Sequence, residues 1–154
     1  MLWQTSATSE DVDPMSVTEA RDLAVRAHGD QRDRDGSLHI AHVARVVEVA
    51  AQSDACQRVA WLHDVLEDSD VTIDDLRRRL PDEEVEAVLL LTHGTDESYE
   101  EYIDRLARAE GNAGSLARAV KEADMLDNLR RCVLARDPAV GQYGQGLASA
   151  ALGR

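Results

Sequence analysis

Residues 54–70 read DACQRVAWLHDVLEDSD. Val59, Ala60, Leu62 and Leu66 recur three and four apart, the repeat of a helix with one buried face rather than the period of two of a half-buried strand. Asp54 and Gln57 can cap such a helix, and the acidic EDSD marks its stop. The same spacing runs through almost the whole chain, and no long Val/Ile/Thr run alternates, so the sequence predicts an all-α fold.

Working outward, Ser16 and Glu19 form a capping box for a first helix with Val17, Ala20, Leu23, Ala24 and Ala27 on one face, ending near Gly29. The polar stretch GDQRDRDGS, residues 29–37, reads as a loop, and Ile40, Val43, Val47 and Ala50 give a second helix through about Ala51. Thr72 caps a short helix to Leu80; Pro81 ends it and opens the next, which carries Val85, Val88 and Leu89 to a stop at Gly94. Ser98 and Glu101 box another, with Tyr102, Ile103 and Leu106 buried and Gly111 as its end. A long last helix is expected from near Ser115 to about Arg136, ahead of Pro138, with Leu116, Ala119, Val120, Ala123 and Leu126 facing inward. The total is about seven helices.

A chain of 154 residues fits a single core. The expected organisation is a flexible segment over residues 1–14, a folded domain over 15–136 and a C-terminal tail over 137–154, whose Gly- and Ala-rich composition predicts fraying with at most one docking turn. The chain has 17 Lys+Arg against 30 Asp+Glu, a net charge of -13, which repels nucleic acid and anionic membranes. A small polyanionic substrate then requires a metal ion or a local Arg/Lys cluster to reverse the field inside a pocket. No apolar stretch approaches the roughly 18 residues of a membrane span. Cys56 and Cys132 have no second cysteine nearby, and the acidic N-terminus carries no signal-like apolar run, so a reducing, cytoplasmic setting is expected.

His63, Asp64, Glu67 and Asp68 are the densest chemical signal: on a continuous helix His63 and Glu67 share one face and Asp64 and Asp68 another. The bland reading is an acidic last turn beside a solvated His. His39 and His42 lie three apart near the start of the second helix, and Lys121, Asp124 and Asn128 share a face of the long one. Each alone reads as an ordinary hydrogen-bonded His or an ion pair. Together, His42, His63, Asp64 and Asp124 suggest convergence on one divalent cation, and mixed nitrogen and oxygen donors without thiolate favour Mn, Fe, Co or catalytic Zn. Such a centre acidifies water and polarises a phosphoryl oxygen, with Glu67 and Asp68 orienting the water and carrying its proton.

The order His, then His-Asp, then a distant Asp is the pattern of HD-domain phosphohydrolases. More narrowly, RDGSLHIAHVARVV, AWLHDVLEDSDVT, LTH, SYEEYIDRL and VKEADMLDNL resemble the hydrolase domain of RelA/SpoT-type alarmone enzymes, over about Ala20 to Arg131. The resemblance implies an HD-domain helical bundle binding one Mn2+, or another divalent ion, that removes the 3'-pyrophosphate of guanosine tetra- or pentaphosphate. It assigns His42, His63, Asp64 and Asp124 to the metal, Glu67 and Asp68 to catalysis, and Arg32, Arg34, Lys121 and Asn128 to substrate. The chain is similar to stand-alone small hydrolases of this family, such as the metazoan SpoT homologues, so a nucleotide is the expected partner and a homo-oligomer is compatible. It departs from the family where His39 and Leu38 stand ahead of Ile40 in place of Tyr, where Val43 replaces a Pro after His42, where Asp33 and Asp35 break a basic pair, and at Glu122. These changes sit at the substrate rim.

Two alternatives stay open. One keeps the chemistry and changes the substrate to the 2'-phosphate of NADPH or a nucleoside monophosphate, releasing orthophosphate. The other is a module that binds alarmone without turning it over, against which the complete water-activating set counts. Among the remaining residues, His28 and His93 read as helix-end cations; His39 as a substrate contact or an exposed residue; Tyr99, Tyr102 and Trp61 as packing; and Arg130 and Arg131 as a phosphate-facing patch or simple dipole partners.

Overall fold

The computed structural model describes residues 13–136 and 140–152. Among these residues are nine helices, no strand, and one isolated bridge between Arg32 and Leu38. The fold is all-α. The two helices beyond the expected seven come from a break in the third and from the C-terminal segment.

Helix α1 (Val17–His28) opens on the predicted box: Ser16 Oγ accepts from the Glu19 N–H at 3.1 Å, and Glu19 Oε2 accepts from the Ser16 N–H at 2.7 Å. Ahead of it Met15 is buried and donates its N–H to Arg79 O at 2.8 Å; residues 1–12 of the expected N-terminal segment lie outside the described residues. After a loop over 29–38, α2 (His39–Ala50) buries Val43, Val46, Val47 and Ala50 and, on the same face, His39 and His42.

Helix α3 (Asp54–Leu62) is capped by Ser53, whose Oγ accepts from the Cys56 N–H at 3.1 Å, rather than by Asp54 or Gln57. It stops at Leu62, short of the expected Leu66. The reason is local: His63 Nδ1 donates to Ala60 O at 2.7 Å, engaging the carbonyl that a continuing helix would offer to the Asp64 N–H. A one-turn helix, α4 (Val65–Asp68), then restarts with Asp64 as its cap. His63 and Asp64 therefore stand in a break, and the face-sharing expected on one continuous helix does not hold.

Helices α5 (Ile73–Arg77) and α6 (Asp82–Leu91) follow the Thr72 and Pro81 signals, with α6 ending at Thr92, before Gly94. Val85 and Val88 are buried, but Leu89 is 41% exposed. Helix α7 (Tyr99–Arg108) buries Tyr102, Ile103 and Leu106 as its spacing predicts. Gly111 is not its stop; it is the first residue of α8 (Gly111–Ala135), which begins a turn before Ser115. Val120, Ala123 and Met125 of α8 are buried, whereas Leu126 is 49% exposed, on the face turned from the core.

The long α8 is the spine, packing against α2, α3, α6 and α7. Leu62, Leu76, Leu106 and Met125 are fully buried in the core, each contributing about 1.5–3 kcal/mol of transfer free energy. A buried ion pair ties α3 to α6, Arg58 donating to the two Glu84 oxygens at 2.6 and 2.8 Å.

Where the sequence predicts a frayed tail, α9 (Val140–Leu152) lies against α7 and α8. Gly146 explains the difference, because a Cβ there would stand 2.7 Å from Met125 Sδ and 3.0 Å from Tyr99 Oη. The small residues that resemble a disordered tail are what let this helix approach.

Candidate metal centre

The packing of α2 on α8 and the break after α3 bring His42, His63 and Asp124 together, with one donor atom from each within 4.8 Å of the others and all three residues buried. His42 Nδ1 donates to Asp127 Oδ2 at 2.7 Å, and its Nε2 faces Asp124 Oδ1 at 2.9 Å. Asp127 is held in turn by Arg45, at 2.7 and 3.1 Å. His63 Nδ1 is committed to Ala60 O, leaving Nε2 buried with no hydrogen-bond partner, 3.2 Å from Asp64 Oδ2 and 3.7 Å from Asp124 Oδ1.

Both imidazoles therefore spend Nδ1 on an outer acceptor and turn Nε2 inward, the arrangement in which metal-ligating histidines are oriented and made more basic. Burial works against charge on them, yet the carboxylates of Asp64 and Asp124 raise the His63 pKa well above its ordinary value, and Asp124 and Asp127 raise that of His42. Burial likewise opposes ionisation of Asp124, but Lys121 and His42 hold its carboxyl well below the usual range. Two nitrogens, carboxylate oxygen, no thiolate and an orphaned buried Nε2 fit a borderline divalent ion.

Asp64, predicted as a fourth ligand, is adjacent: its Oδ2 accepts from His39 Nε2 at 2.9 Å. Despite the cost of burial, His63 and His39 hold its carboxyl far below the usual range. Lys121 Nζ donates to Asp124 Oδ2 at 2.8 Å and lies 4.9 Å from the centroid of the Tyr102 ring, so it supports the metal set directly. Asn128 Nδ2 also bonds Asp124, at 3.1 Å. Glu67 Oε1 accepts from the His93 N–H. Burial raises the Glu67 pKa, and burial together with Asp64 raises that of Asp68.

A cleft of 260 Å³ opens on this centre and is lined by residues that include His39, His42, Asp64, Asp124, Asn128, Arg34 and Arg131. Arg32 and Glu67 are not among its walls; Arg32 instead donates to Gly36 O at 2.7 Å, inside its own loop. Arg131 donates to Asp33 Oδ2 at 2.7 Å and to Asn128 Oδ1 at 2.8 Å, fastening the 29–38 loop to α8. The acids that interrupt the expected basic pair are thus partners of Arg131. From α9, Tyr143 closes one side of the cleft.

Several residues correct the sequence reading. His39 is not exposed: it is buried on the cleft wall, donates from Nδ1 to Asp33 at 2.7 Å and from Nε2 to Asp64, and its pKa is pushed up to about 9 by these two carboxylates in spite of burial. His28 does end a helix, but it is buried, and its ring centroid is 4.7 Å from that of His39. Asp127 and Arg45, which orient His42, were not picked out; Asp127, three residues after Asp124 on a helix whose next turn carries Arg131, was the available signal.

No family model matches the sequence, and no curated protein is detectably similar to it. A search of solved structures finds a chain described as a metazoan ortholog of SpoT that hydrolyzes ppGpp and plays a role in starvation responses, at a TM-score of 0.73 and 22% identity, covering 87% of this chain and 84% of that one. The two chains share a fold. The all-α helical bundle expected from the sequence is therefore the architecture present. No helix among the described residues is long and apolar enough to cross a membrane.

Proposed function

We propose that this chain is a metal-dependent phosphohydrolase that removes the 3'-pyrophosphate of guanosine tetra- or pentaphosphate, using one Mn2+ held by His42, His63, Asp64 and Asp124. The observation that carries the reading is the inward turn of two buried Nε2 atoms beside Asp124, each fixed by an outer acceptor on Nδ1. The fold shared with a ppGpp-hydrolyzing protein supports the choice of substrate. A bound cation supplies Lewis-acid polarisation of a phosphoryl oxygen and acidifies water.

The protein's own groups do the rest. Water adds to the phosphorus joined to the ribose 3'-oxygen, the O3'–P bond breaks, pyrophosphate leaves and the 3'-oxygen takes a proton. Glu67 and Asp68, whose pKa values are raised by partial burial and by neighbouring carboxylates, serve as the proton-handling pair. Arg34 and Asn128, on the cleft wall, contact the nucleotide, with Arg32 shaping the loop that carries Arg34. Lys121 offsets charge on Asp124 and keeps it ionised.

A second reading, a phosphatase acting on the 2'-phosphate of NADPH or on a nucleoside monophosphate, is favoured by one observation. Asp33 and Asp35 lie 2.7 and 3.5 Å from Arg131 and so reduce the positive charge offered to a polyphosphate. Product analysis separates the two. Metal-stripped protein reloaded with Mn2+ should release pyrophosphate and GDP from guanosine tetraphosphate, and Glu67→Gln should lower turnover by about 10²–10⁴-fold while retaining the ion. Orthophosphate from another substrate selects the phosphatase. Failure to turn over any of these substrates with the ion bound refutes both.

A further inference from the structure

His28, His39 and Asp68 present one donor atom each within 4.8 Å of the others, a second such group beside the first. Neither sequence spacing nor the proposed reaction uses His28. It is 4% exposed, and its Nδ1 lies 3.1 Å from Gln31 Oε1. Gln31 Oε1 is an amide oxygen and can only accept, so His28 carries its proton on Nδ1. His28 Nε2 is then a lone pair, buried, with no hydrogen-bond partner. Buried polar atoms are seldom left so, and a lone pair aimed into a His/Asp cluster calls for a cation or a donor.

The rest of the cluster matches this need. His39 spends Nδ1 on Asp33 Oδ1 at 2.7 Å, as His42 spends its own on Asp127, and turns Nε2 toward Asp64 Oδ2 at 2.9 Å and Asp68 Oδ2 at 3.8 Å. That same Asp64 oxygen is 3.2 Å from His63 Nε2, so it stands between the two groups. The residue that makes the second group possible, His39, is the one found where the resembled family has Tyr.

The geometry points to a second divalent cation site formed by His28 Nε2, His39 Nε2, which gives up its proton to bind, and Asp68, which then leaves proton handling to Glu67, with Asp64 Oδ2 shared between it and the His42/His63/Asp124 site. Its two nitrogens and carboxylate oxygens suit the borderline ions Mn2+, Co2+ and Zn2+. Such a pair of cations, bridged by one carboxylate, is suited to grip the attacked phosphoryl group and its leaving oxygen at once. This inference rests on the proposed metal centre but not on the identity of the substrate.

The test is the metal count of the full chain. Chelator-stripped protein is dialysed to equilibrium against Mn2+, the bound ion is counted by elemental analysis, and low-temperature electron paramagnetic resonance is recorded. Two equivalents and an exchange-coupled spectrum are expected for the wild type, and one equivalent with an uncoupled spectrum for His28→Gln and for Asp68→Asn. One equivalent in the wild type, with hydrolysis retained, overturns the second site and leaves the proposed function standing. A second equivalent that persists in both variants also overturns it, since the ion is then held elsewhere on an acidic surface. No bound ion at all sinks this inference and the metal reading together. The wild-type count and spectrum need no variant, so a variant that fails to fold does not remove the test.

Discussion

Replacing Asp127 by Ala removes the acceptor that fixes His42. Of the groups Asp127 holds, His42 is 2% exposed in its side chain and Arg45 34%, so the two bonds carry different weights. A charge-assisted hydrogen bond to a buried imidazole contributes about 1.5–3 kcal/mol, whereas a partly exposed ion pair such as Arg45–Asp127 contributes about 0–1 kcal/mol. Loss of an outer partner of a metal-ligating His costs about 10–100-fold in metal affinity, or about 1.4–2.8 kcal/mol, in agreement with the first figure. Mn2+ affinity, measured by competition against a chromogenic chelator, should therefore fall by this factor in Asp127→Ala. Asp127→Asn, which keeps an oxygen for the Nδ1 proton, should recover most of it, and Arg45→Ala should lose less than about fivefold. If Asp127→Ala bound Mn2+ as tightly as the wild type while circular dichroism showed it folded, His42 would not be a ligand oriented by Asp127, and the centre as described would be wrong.

Two further outcomes are expected from features away from the ligands. Gly146→Val should destabilise the protein by about 1–3 kcal/mol in urea unfolding and speed thiol labelling of Cys132, which lines the cleft, because α9 can no longer lie against Met125 and Tyr99; an unchanged labelling rate would mean that α9 does not close that side. Hydrogen bonds from Arg105 lower the Glu97 pKa from 4.5 to about 2, so its contribution to stability is complete above pH 4.5 and is lost as pH falls through about 2. Unfolding free energies across that window should fall less steeply in Glu97→Gln than in the wild type, and parallel curves would rule the pair out as a source of acid sensitivity.

The helical class was legible because most apolar positions obey one period: Ala20, Ala24, Val43, Val47 and the α7 stripe are buried as the spacing requires. Capping residues placed most starts. The break at His63 was not legible, since it depends on a side chain taking a main-chain carbonyl, which no hydrophobic pattern records. The tail was misread for a related reason: Gly146 looks like a loss of order in sequence and works as close packing in space. At the site, residue types and order sufficed to group His42, His63 and Asp124, which the fold does bring together, but not Asp127 or His28, whose places follow from what lies opposite them in the fold. The partners that Asp33 and Asp35 find in Arg131 were equally hidden.

The bonds from His42 to Asp124 and Asp127 join residues 82 and 85 apart, and that from Arg131 to Asp33 spans 98. Closing loops of such length costs chain entropy before any contact repays it, so these pairs are set to form after the local turns of α1, α5 and α7. The centre then acts as a clasp between the early and late parts of the chain. On the ribosome both imidazoles emerge well ahead of Asp124, and a nascent chain carries loose histidines rather than a chelating cage. The grouping of His42, His63 and Asp124 arrives in a single step, when α8 docks, and is lost the same way when it lifts.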